Sequence, residues 1–486
     1  MNEAPAASDV QRLSPRKQAI RDLNDRLAPE RARWRAKNKY FHAENIRYMR
    51  FLVPPGLSVL ELGCGAGDLL AALEPARGVG VDLSLGMVEA ARQSFPRLDF
   101  RIGDIEDPAT LAALEGPFDV ILLSETVGDL EDVEATFAGL HALCRPDTRL
   151  IVSYHSPLWK PVLRLAIAIG QKMPARPDNW LALEDIENLL MLADFELIRH
   201  ERRQLLPKRL LGLGSLVNRY VGTLPGIRLA CLYNYVVVRP LRGVAAENPS
   251  VSVVIPARNE HGNIAAAIER LPEFCDDIEI VFVEGHSSDG TLEEMHRVKA
   301  AHGERGIKVV VQDGIGKGDA VRKGFEVARG DVLMILDADL TMPPEQLVKF
   351  YDALTANKGE FILGSRLVYP MQSEAMRLLN LLANHGFSLL FTWLLNQRFT
   401  DTLCGTKVLS ASHYRQIAAN RSYFGDFDPF GDFDLIFGAA KLNLKIVEVP
   451  IRYANRAYGE TQISRFRHGW LLLRMVVFAY RKLKAI

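Results

Sequence analysis

The stretch "VLMILDADLTMPP", Val332–Pro344, places five apolar residues directly before two aspartates separated by one alanine. An apolar run of this length, followed by a proline-containing turn, is typical of a buried strand. A single acid at a strand end can cap the next helix. The pair Asp337 and Asp339, followed by Thr341, instead indicates a site for a cation, and carboxylate oxygens suit Mg²⁺ or Mn²⁺.

Similar short β-rich runs alternate with helical stretches on both sides of this segment, which indicates βαβ units and parallel sheets. A chain of 486 residues is long for one domain and suits two. A polar segment with Gly and Pro separates two such series. We therefore predict an α/β protein with one domain over 1–240, including a helical extension over 1–50, a linker over 241–250 and a second domain over 251–486.

The composition narrows the class of protein. Lys plus Arg and Asp plus Glu both number 59, so a nucleic acid is not expected as the principal partner. Five cysteines without a close pair argue against a zinc cluster or a disulfide framework and suit a reducing cytoplasm. The most apolar helix-like run, residues 470–484, contains Arg474, so it either lies on a membrane surface or packs in the core.

The first half carries a glycine-rich loop in "VLELGCGAGDLL", residues 59–70. Glycines let the backbone approach a ligand closely. Asp82 ends the next strand, at about the 20-residue spacing at which the acid of a βαβ unit meets a ribose hydroxyl. The loop reads G-x-G-x-G rather than the G-x-G-x-x-G of an NAD-binding fold, and later strands end at Asp104 and at Glu125.

Together these residues resemble a class I S-adenosylmethionine-dependent methyltransferase over roughly residues 40–240. The resemblance implies a Rossmann-like fold that binds S-adenosylmethionine. It implies cofactor contacts from the glycine loop, the second-strand acid and the third-strand pair, namely Glu61, Gly63, Gly65, Gly67, Asp82, Asp104 and Ile105. The methyl acceptor is poorly specified. His155 and Glu125 are weak candidates for a base, and a structural or solvent-exposed histidine is the favoured interpretation of His155.

The second half carries a further series of motifs around the aspartate pair. In order, these are Arg258-Asn259-Glu260 after a buried strand, Glu284 at the end of the next, and Gly316-Lys317-Gly318 before a helix, where amides and a lysine reach a diphosphate. They resemble the nucleotide-sugar half of a family 2 glycosyltransferase with the GT-A fold. The resemblance implies a metal at Asp337 and Asp339, and donor contacts from Pro256, Arg258, Asn259, Glu260, Glu284, Lys317 and Asp337. The family usually has two acids at the second strand end, whereas here Gly285 follows Glu284.

Residues 361–409 are similar to the dolichol- and polyprenyl-phosphate sugar transferases within that family. The resemblance implies acceptor contacts from Arg366, Asp401, Lys407, Arg452 and Arg456, and catalytic roles for Arg366, Asp432 and Asp434. A lipid phosphate is already anionic near neutral pH and needs no base. A sugar hydroxyl would need one, and Asp434 or Asp432 is the candidate.

We therefore predict a bifunctional enzyme, peripheral at the cytoplasmic face of a membrane. Its second domain transfers a sugar from a nucleotide-sugar donor to polyprenyl phosphate, with metal dependence and inversion. Its first domain methylates a related glycan or lipid intermediate. The alternative is transfer to a sugar hydroxyl of a glycan or glycolipid, with the first domain as a binding or scaffold module.

Overall fold

The computed structural model describes residues 13–175, 179–241, 248–369, 378–424, 431, 433–454, 456, 458 and 465–486, with the side chains of 378–383 and 465–468 excepted. The chain divides into two compact units, Met1–Gly243 and Val244–Ile486. Each unit has its own seven-stranded sheet. The predicted α/β class with a sheet in each half is confirmed.

The sheet of the first unit has seven strands in the order β3-β2-β1-β4-β5-β7-β6. They are β1 Ser58–Leu62, β2 Arg77–Asp82, β3 Asp99–Ile102, β4 Val120–Ser124, β5 Arg149–His155, β6 Phe195–Arg203 and β7 Tyr233–Pro240. All run parallel except β7, which is antiparallel to β5 and β6. The central strands are buried because helices cover both faces.

Ten α-helices lie in the described part of this unit. They are α1 Pro15–Leu27, α2 Arg31–Lys37, α3 Lys39–Leu52, α4 Asp68–Ala72, α5 Leu85–Ser94, α6 Pro108–Ala112, α7 Val133–Gly139, α8 Lys160–Ala168, α9 Leu183–Leu192 and α10 Leu213–Leu216. Ser14 caps α1, since its hydroxyl accepts a hydrogen bond from the Lys17 amide and Pro15 occupies the first turn. The charged extension is thus a set of ordered helices from residue 15 onward.

The sheet of the second unit has the order β10-β9-β8-β11-β13-β12-β14. Its strands are β8 Val251–Ala257, β9 Ile278–Glu284, β10 Gly306–Val311, β11 Val332–Ile335, β12 Phe361–Ser365, β13 Lys407–Ser410 and β14 Ile446–Pro450. Strand β13 runs antiparallel to both of its neighbours. The helices are α11 Ile264–Glu269, α12 Thr291–Ala301, α13 Lys317–Val327, α14 Leu347–Thr355, α15 Leu378–Leu395, α16 Ala411–Ala419, α17 Phe433–Lys441 and α18 Arg465–Ala479.

The strand order reverses once at the centre of each sheet, between β1 and β4 and between β8 and β11. At such a point the loops that follow the two strands diverge, and a crevice opens at their carboxyl ends. The glycine loop follows β1 and the aspartate pair follows β11. The fold therefore places both sequence motifs at the positions where open α/β sheets bind ligands.

Helix α18 presents apolar residues on two faces. Met475 and Ala479 are fully buried, whereas Trp470, Leu473 and Val477 are 63%, 43% and 48% exposed. One face of this helix therefore packs in the core and another remains apolar at the surface, and contact with a membrane stays a prediction. Within the described ranges, no helix has the length and apolarity needed to cross a membrane.

Candidate active sites

The glycine loop of the first unit requires glycine at two of its positions. Gly63, Gly65 and Gly67 all have positive φ, at 74°, 51° and 76°. A Cβ on Gly63 would lie 2.2 Å from Thr126 Oγ1, and one on Gly67 would lie 2.5 Å from the Phe100 ring. Gly65 differs, because a Cβ there would meet only the Arg31 side chain, at 3.6 Å. The loop therefore packs tightly at its ends and opens at its centre toward the crevice.

Asp82 organises this loop from the end of β2. Its carboxylate accepts hydrogen bonds from the amides of Gly65, at 2.7 Å, and Ser84, at 2.9 Å. Burial raises the pKa of Asp82, although the two amides oppose the shift. A carboxylate has about four acceptor sites, so Asp82 retains capacity for ligand hydroxyl groups. It lines the crevice together with Gly63 and Gly65.

Asp104 and Ile105 lie at the same crevice, where helix α1 reaches them. Lys17 Nζ is 2.5 Å from Asp104 Oδ2 and 2.9 Å from Glu106 Oε2. Burial lowers the pKa of Lys17, but the two carboxylates outweigh it and raise that pKa. Ile105 is buried beside them. Sequence reasoning missed Lys17, because the only signal was the charge of the extension that carries it.

Glu61 occupies a different place from the other cofactor candidates. It is 3% exposed, its Oε2 accepts a hydrogen bond from the Leu70 amide at 3.0 Å, and it does not line the crevice. Burial raises its pKa to about 8. Its contact therefore supports the helix that follows the glycine loop.

In the second unit, hydrogen bonds join the loop after β8 to the loop after β9. Asn259 Oδ1 accepts from the Ser288 amide at 2.9 Å, and the Glu260 amide donates to Thr291 Oγ1 at 3.0 Å. Glu284 is buried and accepts from the Ser287 amide at 2.5 Å. Pro256 and Arg258 precede this network, with Pro256 half-buried and Arg258 exposed. The predicted donor residues of the two strand ends are thus brought together.

Each aspartate of the pair faces a cation. Lys317 Nζ lies 2.6 Å from Asp337 Oδ1, and Arg456 Nη2 lies 2.6 Å from Asp339 Oδ2. Arg456 also reaches Glu260, at 3.4 Å. Burial would raise the pKa of Asp337, but Lys317 outweighs it and lowers that pKa. Arg456, predicted at the acceptor, therefore lies at the aspartate pair in this structure.

Gly405, in the segment that leads into β13, packs directly against the Asp337 carboxylate. A Cβ on Gly405 would lie 1.8 Å from Asp337 Oδ2 and 2.6 Å from Lys317 Nζ, so only glycine fits there. Lys407 is 1% exposed and donates to the Cys404 carbonyl at 2.9 Å. Its charge helps to lower the pKa of Asp337. Lys407 thus acts on the pair through its charge, from a buried position.

Arg366 and Asp401 form a buried ion pair with two parallel hydrogen bonds. Arg366 Nε donates to Asp401 Oδ2 at 2.6 Å and Nη2 donates to Oδ1 at 2.7 Å. Asn384 Nδ2 adds a third bond to Asp401, at 3.2 Å. Burial raises the pKa of Asp401, but Arg366 outweighs it and lowers that pKa. The pair fixes the loop between β12 and β13.

The remaining predicted catalytic and acceptor residues that the structure describes in the second unit make none of these contacts with Arg366 or Asp401. Asp434 accepts from Arg421 Nε at 3.3 Å and lines a small cavity between α16 and α17. Arg452 is exposed, and its guanidinium carbon lies 5.7 Å from the centre of the Tyr369 ring. Asp432 lies outside the described residues.

Comparison with known proteins identifies both units. Residues 13–201 match a model of the methyltransferase domain, and residues 252–424 match a model of glycosyl transferase family 2. The chain joins a methyltransferase domain to a family 2 glycosyltransferase domain. The predicted families and fold class, Rossmann-like for the methyltransferase domain and GT-A for the glycosyltransferase domain, are therefore confirmed. Both matches are to enzyme families.

Two relatives illustrate the similarity of the glycosyltransferase domain. The undecaprenyl-phosphate 4-deoxy-4-formamido-L-arabinose transferase of Aeromonas hydrophila is 34% identical over 119 residues, which are 24% of this chain and 36% of that protein. The dolichol-phosphate mannosyltransferase of Saccharomyces cerevisiae is 36% identical over 121 residues, 24% of this chain and 44% of that protein. The match thus spans less than half the length of either relative.

A solved structure resembles the methyltransferase domain. It is a possible histamine N-methyltransferase from Thermotoga maritima, which is 17% identical, with a TM-score of 0.36 over 45% of this chain and 99% of that one.

The burial of Glu61 predicts a specific pH dependence. Its folded pKa of about 8 exceeds its unfolded value of 4.5, so the folded state keeps a proton that the unfolded state loses. Stability therefore falls as pH rises between these values, by about 1.4 kcal/mol per pH unit from this group. Glu61→Gln should remove that decline in the free energy of unfolding, measured by hydrogen exchange of the β1 amides. Glu134→Gln, an exposed position in α7, should keep the wild-type slope, and an equal slope in Glu61→Gln would contradict the assignment.

The Arg366–Asp401 pair predicts a large loss of stability when one charge is removed. Asp401→Asn should lower the free energy of unfolding of the glycosyltransferase domain by about 3–5 kcal/mol, because Arg366 is left charged and buried. Urea unfolding followed by hydrogen exchange of β12 measures the change. Glu345→Gln breaks an exposed ion pair with Arg270 and is the control, with little change expected. Equal changes in the free energy of unfolding for the two variants would contradict a special contribution of the buried pair to stability.

Proposed function

We propose that the glycosyltransferase domain transfers a sugar from a nucleotide-diphosphate sugar to a polyprenyl phosphate. We further propose that the methyltransferase domain uses S-adenosylmethionine to methylate a related glycan or lipid intermediate. The observation that carries the first proposal is the pairing of Asp337 with Lys317 and of Asp339 with Arg456 at the point where the strand order reverses. The carboxylates can hold a metal ion and the long basic side chains can bind phosphate oxygens, and both would stabilise a leaving diphosphate.

Asp337 and Asp339 can bind a divalent metal once their ion pairs with Lys317 and Arg456 open. Asp337 and Asp339 supply hard oxygen ligands, and no group of three or more potential protein ligands occurs among the described residues. Diphosphate oxygens and water would complete the shell of Mg²⁺ or Mn²⁺, with Arg456 released from Asp339. When bound, the metal would neutralise charge on the leaving diphosphate. Lys317, at the start of α13, is placed to hold the same phosphates.

A lipid phosphate as acceptor agrees with the surroundings of Asp434. That carboxylate is engaged by Arg421, so it is not poised as a base. A phosphate acceptor is already anionic and needs none, and its direct attack on the donor would invert the anomeric carbon. The names of both relatives also describe undecaprenyl- or dolichol-phosphate chemistry.

The surface of α18 supports contact with a membrane, where such an acceptor resides. Trp470, Leu473 and Val477 form one exposed apolar face, and the same segment exposes Arg474 and Arg481. Apolar residues with neighbouring cations bind the interface of anionic bilayers. We therefore propose that the domain acts peripherally at the cytoplasmic face of the membrane.

The metal proposal predicts the effect of one isosteric change. Asp339→Asn should lower sugar transfer by at least about 100-fold, because the leaving charge is less well neutralised, while S-adenosylmethionine binding stays intact. The assay follows radiolabel from a panel of nucleotide sugars into the lipid phase, with polyprenyl phosphate and Mn²⁺. Asp331→Asn, at a position bonded to Ser250, is the control and should keep full activity. Normal transfer by Asp339→Asn would exclude the metal role, and label in a glycan rather than in lipid would favour a hydroxyl acceptor.

The methyltransferase crevice fits S-adenosylmethionine through the glycine loop and two acids. Gly65 leaves open space at the loop centre, where the methionine portion would lie. Asp82 would accept the ribose hydroxyls, and Asp104 with Ile105 would border the adenine. Lys17, bound to Asp104, would close the crevice from α1.

This assignment predicts a loss of cofactor affinity when Asp82 is neutralised. Asp82→Asn should raise the Kd for S-adenosylmethionine by at least about 10-fold, because hydrogen bonds to a charged acceptor contribute about 1.5–3 kcal/mol. Isothermal titration calorimetry on the full chain measures it. Asp99→Asn, which removes an exposed charge paired with Arg101 at the start of β3, is the control. An unchanged Kd for S-adenosylmethionine in Asp82→Asn would show that Asp82 does not bind the ribose.

A further inference from the structure

A second cavity of the methyltransferase domain adjoins the cofactor crevice. Its apolar wall consists of Trp34, Phe41, Trp159, Val162 and Leu163. Neither the family match nor the sequence motifs assign it a ligand. Helices α2, α3 and α8 supply most of this apolar wall, and they lie outside the glycine loop and its acids.

The two cavities share a junction. Arg31, Glu125, His155, Lys172 and Met173 line both of them. Methyl transfer requires the donor carbon and the acceptor atom to be in contact and in line. A molecule in the second cavity would reach a cofactor in the crevice through this junction. The side chains at the junction would therefore lie beside the acceptor atom.

Glu125 is held at the junction by its backbone and side chain. It has a φ of 60°, uncommon for a residue with a side chain, and its amide donates to the Ser153 carbonyl at 2.8 Å. Tyr233 Oη donates to Glu125 Oε1 at 3.3 Å. Strained residues cluster at functional sites because surrounding contacts must hold them in place.

Two histidines flank this carboxylate and are packed on one phenylalanine. The Phe41 ring stacks on His155 at 5.9 Å and meets His42 edge-on at 5.2 Å. Burial lowers the pKa of each histidine to about 4, with Glu125 opposing the shift and Lys172 assisting it. Burial would raise the pKa of Glu125, but His155, Lys172 and His42 outweigh it and lower that pKa to about 2. At neutral pH both imidazoles are uncharged proton acceptors beside an anion.

The geometry distinguishes the two histidines. His155 lines both cavities, whereas His42 lines the second cavity but not the cofactor crevice. His155 also ends β5, directly beside the strand that ends at Ser124. It is therefore the imidazole nearest to the route from acceptor to donor.

We propose that the second cavity binds the methyl acceptor, that this acceptor is a hydroxyl on a molecule with an apolar body, and that His155 accepts the hydroxyl proton. This inference rests on the proposed use of S-adenosylmethionine. The hydroxyl oxygen forms a bond to the methyl carbon, the bond between that carbon and sulfur breaks, and its electron pair stays on sulfur as a neutral thioether. The proton moves to His155, and the anionic Glu125 stabilises the resulting imidazolium.

The surface outside the cavity indicates a long apolar chain on this acceptor. Helix α8 lines the cavity through Val162, and its neighbouring outward positions Leu158, Leu165 and Ile169 are 63%, 61% and 62% exposed. An alkyl chain that leaves the cavity would continue along this face. The acceptor class is therefore a hydroxyl-bearing lipid or lipid-linked glycan.

Binding is tested first, with dodecyl maltoside as the probe, below its micelle concentration. The cofactor-loaded full chain carries Trp470→Phe, which removes the exposed tryptophan of α18. The probe should change tryptophan fluorescence, and the added changes Trp34→Phe and Trp159→Phe should abolish the response. Dodecyltrimethylammonium, a cation of equal chain length without hydroxyls, should bind at least about 10-fold more weakly beside Arg31 and Lys172. No response, or one that survives both changes, overturns the acceptor site.

Catalysis is tested with His155→Gln and tritiated methyl donor, followed as alkali-stable label on the maltoside. The variant should lose at least about 100-fold in kcat, while the cofactor Kd and the fluorescence response stay within about 3-fold of wild type. His200→Gln, at a surface position of β6, is the control. Retained kcat, loss of fluorescence response together with kcat, or no label with the wild type overturns the role of His155. Absent cofactor binding by the wild type would instead refute the proposed function itself.

Discussion

One topological constraint underlies both domains, namely the reversal of strand order at the centre of a mostly parallel sheet. Parallel strands point their carboxyl ends to one edge, and right-handed crossovers put the helices on both faces. Loops leaving β1 and β4, or β8 and β11, must therefore diverge, which opens a crevice. Within each domain, motifs that follow these strands therefore lie at the same edge of the sheet, even when they are far apart in the chain.

The constraint brings acidic side chains together at partly buried strand ends, and the two domains stabilise their negative charge in different ways. The methyltransferase domain surrounds Asp82 with backbone amides, which are fixed and remain when a ligand binds. The glycosyltransferase domain pairs Asp337 and Asp339 with Lys317 and Arg456, whose long side chains can exchange partners. The first arrangement suits hydroxyl groups of a cofactor, whereas the second suits a site in which metal and phosphates replace existing ion pairs.

The acceptor side of each domain depends on contacts that sequence patterns do not record. Arg366 and Asp401 were expected at a phosphate because of their motif, and in the structure they bind each other across the loop between β12 and β13. Phe41 and His42 lie in a helix of the charged extension, with no motif around them, yet Phe41 stacks on His155 and meets His42 edge-on. Lys17 reaches Asp104 across 87 residues. Such pairings depend on helix placement, which local periodicity does not encode.

The sequence by itself determined the two α/β series, because short apolar runs and glycine loops act locally and their order specifies a parallel sheet. The families followed from the resemblance that the motifs carry. Gly63, Asp82, Asp337 and Lys317 were predicted as site residues from that resemblance. Only the tertiary structure decided which charges meet, such as Arg456 with Asp339, and where the cavity beside His155 lies. The physical reason is that a buried charge or cavity is defined by residues distant in the chain, whose contacts exist only after the helices pack on the sheet.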